Sequence, residues 1–122
     1  MTPSRVVVFA VAACGGDPLV AQPSPSGAHT MVPSVEAGLV YANITGPHAG
    51  KIATHAGDQM KWAIGWFDDQ TIVLESSDIG TYAWHLTGDR WVEDTVDGPK
   101  CRRAHAVFAA KYDRAAYGNC PN

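Results

Sequence analysis

The sequence predicts an α+β fold: a small antiparallel β-meander sheet with one C-terminal helix packed on it. Three observations carry that expectation. Bulky and small residues alternate with period two between Lys61 and Glu93, polar turns cut this stretch into four strands, and an apolar stripe with helical spacing follows Pro99. A chain of 122 residues, 46% hydrophobic and 17% charged, suits a single packed domain. Its formal charge of −3, with no basic stripe, argues against nucleic acid as a partner.

Leu39 to Ile44 reads as a first strand and Lys51 to His55 as a second, parted by Gly46-Pro47 and Ala49-Gly50. Trp62, Ile64 and Trp66 then alternate with Ala63, Gly65 and Phe67, giving a strand with one bulky face. Asp68 and Asp69 form a turn, since short carboxylates bond to nearby backbone N–H groups, and Thr71 to Glu75 returns as the hairpin partner. A second polar break runs from Ser76 to Gly80. Tyr82, Trp84 and Leu86 share one face of the next strand, and Thr87 to Arg90 turns the chain into Trp91-Val92-Glu93. Pro99 fits the first turn of a helix, along which Cys101, His105, Phe108 and Tyr112 fall at i, i+4, i+7 and i+11. Trp62, Ile64, Trp66, Tyr82, Trp84 and Leu86 are expected to bury themselves under Phe108 and Tyr112.

The run from Trp62 to Trp91 resembles one blade of a WD-repeat β-propeller, in which a strand, an acidic turn, an apolar strand, a Ser-x-Asp-Gly-Thr-like turn and a tryptophan-bearing strand follow one another. The chain has no second copy of this pattern, and a propeller needs several, so the resemblance implies a shared local arrangement and no blade binding surface.

At the N-terminus, Arg5 precedes an apolar run from Val6 to Ala13, and Val11-Ala12-Ala13-Cys14 resembles the lipobox of bacterial lipoproteins. The run is too short to span a bilayer, which takes about 20 residues. The resemblance implies a signal peptide over residues 1–13, cleavage before Cys14, and acylation of Cys14 and of the new amino terminus. Gly15, standing where that family's inner-membrane proteins commonly carry aspartate, implies outer-membrane placement in a source with two membranes. Residues 14–34, with Pro18, Pro23, Pro25 and Pro33 among Gly, Ser and Gln, are expected to be a flexible tether, and 35–122 the globular domain.

With Cys14 assigned to lipid, Cys101 and Cys120 remain in an oxidising compartment and are expected to form a disulfide. One straight helix from Cys101 to Tyr117 would hold its ends roughly 24 Å apart, whereas bridged Cα atoms lie within about 7 Å. The helix must therefore stop near Tyr112 and the chain from Asp113 to Cys120 run back along it. The bridge would stabilise the domain by roughly 3 kcal/mol.

Candidate chemistry is sparse. His29, His48, His55, His85 and His105 show no tight metal-ligand spacing and read as surface residues, although His48 and His55 could meet across a hairpin, so neither metal nor cofactor is expected. Ser76, Ser77 and Asp78 lack a strand-to-helix nucleophile elbow and read as a turn. Adjacent Asp68 and Asp69 diverge in a tight turn, and Asp69 reads as a solvated tip. Trp62, Trp66, Tyr82 and Trp84, with Ser76, Ser77 and Asp78, are the candidate binding surface, unless the aromatics are core. The expected function is that of an envelope lipoprotein, a non-enzymatic binding or structural module tethered to the membrane and facing an envelope protein or glycan. The alternatives are an inhibitor presenting Ser76 to Thr81 to a secreted or host enzyme, and a small hydrolase.

Overall fold

Alternating large and small side chains build a strand whose two faces need different partners, and that difference organises the molecule. The computed structural model describes residues 19–121; the expected signal peptide and Cys14 lie outside the described residues. Eight strands and a helix follow in order: β1 (Gln22–Pro23), β2 (Thr30–Glu36), β3 (Leu39–Thr45), β4 (Gly50–Gly57), β5 (Trp62–Asp68), β6 (Thr71–Ser76), β7 (Gly80–Thr87), β8 (Arg90–Asp94) and α1 (Gly98–Tyr112). They form two four-stranded antiparallel sheets, β1-β2-β3-β4 and β5-β6-β7-β8, each in sequence order.

The second sheet is the expected meander, with Trp62 opposite Ser76, Ile64 opposite Leu74, Ile72 opposite Trp84 and Leu86 opposite Trp91. Its bulky face, however, packs on the first sheet and not under the helix, which reaches the Trp62 ring through Lys111. Trp62, Ile64, Trp66, Ile72, Leu74 and Trp84 pack against Met31, Val40, Ala42, Ile44, Ile52 and Ala56 of the first sheet, with Tyr82 and Trp91 at the margin. The helix covers the opposite face, where Val73 and Ala83 meet Ala104, flanked by Phe67 and Val96. The physical reason is depth. Facing sheets stand about 10 Å apart and need tryptophans to fill the gap, whereas Ala63, Gly65 and Ala83 make a shallow surface on which a helix can sit close. A Cβ placed at Gly65 would lie 3.0 Å from Val107 Cγ2.

The folded unit begins earlier than residue 35. Residues 22–23 and 30–34, expected to be tether, belong to the paired strands β1 and β2. Pro33 is compatible with β2 because β1 covers only Met31 and Thr30, so beyond them β2 is an edge strand whose outward side needs no N–H. Met31 is fully buried, and Pro33 is also buried.

The β2–β3 hairpin closes through Ala37-Gly38, both at positive φ (53° and 81°), as the mirror-image two-residue turn requires. Alanine is strained there. Ala37→Asn should raise stability by about 0.5–1 kcal/mol in urea unfolding, and an unchanged midpoint would show the turn to be unstrained.

The helix starts at Asp97, whose carboxylate accepts from the Lys100 N–H (3.0 Å), which holds its carboxyl below the usual range. It stops at Tyr112, with Asp113 in the left-handed conformation donating its N–H to Ala109 O, as the disulfide geometry demanded. Cys101 and Cys120 are bridged, with Cα atoms 5.6 Å apart. Among the described residues no helix is long and apolar enough to cross a membrane.

Candidate functional site

Strand β5 lies at one edge of its sheet, and an edge strand leaves alternate backbone groups unpaired. Here side chains take them. Trp62 O accepts from Lys111 Nζ (2.6 Å) and Tyr112 Oη (2.7 Å), and the Trp62 N–H donates to the same Tyr112 oxygen (2.9 Å). Ile64 O accepts from Gln22 Nε2 (3.2 Å), and Trp66 O from Arg103 Nε (2.9 Å). The outward carbonyls of this edge are thereby occupied by side chains, which hinders addition of another strand.

Beside this edge, the segment entering β1, the edge strand and the helix leave a groove of about 390 Å³. Val20 and Pro33 form one wall, Val107 and Ala110 the other, with Ile64 and Gly65 along its floor. Arg103 and Lys111 also line it. An apolar floor with two cations suits an apolar or amphipathic group that carries negative charge. No single signal in the sequence points to this groove, because one wall comes from residues 20–33 and the other from residues 107–110.

The residues singled out from sequence are placed differently. Trp62, Trp66 and Trp84 are only 1%, 5% and 4% exposed, so they are core and not a binding surface. Tyr82 is half-buried and stacks with His55, whose Nε2 lies 2.8 Å from Glu93 Oε1. Ser76 is buried, and its Oγ accepts from the N–H groups of Asp78 and Ile79, while Ser77 N donates to Lys61 O. These bonds, and the packing of Ile79 against the core, draw the Ser76–Thr81 turn inward. Asp78 alone of that trio is exposed.

Asp69 is more than a solvated tip. Its Oδ1 accepts from Ser26 N (2.8 Å), tying the β5–β6 turn to the β1–β2 hairpin, and this hydrogen bond, reinforced by the Ser26 hydroxyl, holds its carboxyl below the usual range. A depressed carboxyl stabilises the fold above the ordinary carboxylate range and loses that contribution as pH falls through the lower folded value. The Ser26 amide proton should therefore titrate with a midpoint below that of a free aspartate; a midpoint at or above it would remove the clasp.

Nor are all the histidines superficial. His29 is 5% exposed, close to His48, Trp66 and Trp91, and its ring nitrogens have no hydrogen-bond partner among the described residues. His48 and His55 do not form a pair, since each is engaged with other residues. His105 Nε2 lies 3.7 Å from Cys101 Sγ and 3.4 Å from Oε1 of buried Glu75, which also accepts from Thr81 Oγ1. The sequence held one trace of this cluster, the i, i+4 spacing of Cys101 and His105; Cys120 joins only because the tail folds back.

Comparison with protein-family models, with curated proteins and with solved structures finds no match.

Proposed function

We propose that the protein is an envelope lipoprotein, anchored through acylated Cys14, whose domain is a non-enzymatic binding module using the groove beside β5 to hold an apolar or anionic amphipathic part of another envelope component. The observation that carries this reading is the groove's composition among the described residues: apolar Val20, Pro33, Ile64, Val107 and Ala110 together with the cationic side chains of Arg103 and Lys111. Its position supports the anchor. Cys14 and Val20 are six residues apart, an extended reach of at most about 20 Å, so a lipid on Cys14 keeps the Val20 wall near the membrane surface. The tether is far shorter on this reading than the composition of residues 14–34 suggests.

Two measurements test it. Cys14→Ser should move the protein from membranes into the soluble fraction with its fold intact, because stable anchoring takes more than one acyl chain. A photo-cross-linker at exposed Ala106 in intact cells should give a discrete adduct, and Ala110→Trp, which fills the groove from an exposed position, should reduce that adduct at least about tenfold. Unchanged membrane partition would overturn the anchor, and an adduct indifferent to Ala110→Trp would overturn the groove.

A further inference from the structure

We propose that reduction of the Cys101–Cys120 bridge turns the cluster of Cys101, His105, Cys120 and Glu75 into a binding site for a thiophilic divalent cation, zinc above all. The inference is independent of the groove, which lies on another face of the helix.

The donor atoms are already gathered. One ligand atom from each of Cys101, His105 and Cys120 lies within 4.8 Å of the other two. In a tetrahedral zinc site, bond lengths of about 2.3 Å to sulfur and 2.0 Å to nitrogen place sulfur and nitrogen about 3.5 Å apart. Cys101 Sγ and His105 Nε2 stand at 3.7 Å, so the helical i, i+4 pair needs almost no adjustment. Two sulfurs on one zinc sit about 3.8 Å apart, a separation the reduced pair can reach by movement of Cys120 in the irregular tail. Glu75 supplies the fourth donor. Its Oε1 is 3.4 Å from the same His105 nitrogen, outside the 4.8 Å set of the other three donors, so a small side-chain adjustment brings it to the metal, and the residue is only 2% exposed. Two thiolates, an imidazole and a carboxylate form a borderline-soft set that favours zinc over magnesium or calcium.

The chemistry balances with a thiol reductant. Two reductant thiols, or one dithiol, pass two electrons to the protein disulfide, leaving two cysteine thiols and the reductant's own disulfide. Metal binding then displaces the two thiol protons and uses the lone pair of neutral His105 Nε2. Bridge and metal exclude each other, and either one ties residues 113–121 to the first turns of the helix.

The test uses the full chain carrying Cys14→Ser, so that only the two relevant thiols are present, reduced under anaerobic conditions and titrated with Co²⁺. The expected result is one equivalent bound with a thiolate-to-cobalt charge-transfer band and tetrahedral d–d absorption, displaced by Zn²⁺, while the oxidised protein shows neither. His105→Ala and Glu75→Gln should each weaken binding by at least about tenfold, since loss of a direct ligand costs no less than loss of an outer-shell partner. Zinc should also raise the Tm of the reduced chain, or restore its circular dichroism if reduction unfolds it, and leave the oxidised chain unmoved. No one-equivalent tetrahedral cobalt complex, or binding equally tight in both variants, would overturn the proposal.

Discussion

Trp62→Ala is expected to lower the unfolding free energy by about 3–5 kcal/mol, a large share of what a domain of this size possesses. The side chain is 1% exposed and fills space between the two sheets. It also organises polar neighbours. Its indole N–H donates to Asp58 Oδ1 at 3.0 Å, and the Lys111 ammonium lies 3.6 Å from its ring centroid. Truncation therefore opens a cavity between the layers and deprives Asp58 and Lys111 of a partner. Trp62→Phe separates these effects, because it keeps an aromatic face under Lys111 and removes the indole donor; its cost should be about 1–2 kcal/mol. Urea unfolding at neutral pH, read as a shift in midpoint at constant slope, measures both. If Trp62→Ala lost less than about 1 kcal/mol, the ring would not belong to the inter-sheet core.

The same residue shows how far the sequence could be read. Period-two alternation is local, so the strands from Trp62 to Glu93 and the shared face of Trp62, Ile64 and Trp66 were visible without coordinates. What covers that face is not local. The helix stripe through Cys101 and Phe108 offered one apolar surface, and the first sheet offered another, half hidden behind Pro33 in a segment whose composition reads as linker. The small residues Ala63, Gly65 and Ala83 were the overlooked clue, since a helix can approach closely only where side chains are short. Long-range partners were likewise invisible. Ser26 reaches Asp69 across 43 residues and Gln22 reaches Ile64 across 42, so neither the clasp nor the occupied edge leaves a trace in spacing. The end of the helix was foreseen for a different reason: the bridge between Cys101 and Cys120 is a distance constraint that a straight helix cannot meet.

Cys120→Ser should cost about 3 kcal/mol under oxidising conditions, the chain-entropy value for a closed loop of this length. The bridge spans a separation of 19 residues and joins a buried position in the helix to a tail with little else to hold it. Asp113, Arg114, Ala115, Tyr117, Gly118 and Asn119 are exposed, and Arg102 Nη1 reaches Pro121 O at 3.3 Å across open surface. Without the covalent link, residues 113–121 should leave the helix while α1 stays seated, because Arg103, Lys111 and Tyr112 remain bonded to β5. Limited trypsin digestion reads this directly. Cleavage after Arg114 should accelerate strongly in Cys120→Ser and leave a resistant fragment that retains the sheets and the helix. Stability falling by the expected amount with an unchanged cleavage rate would mean that the tail is held by its own contacts and that the bridge acts only on the unfolded chain.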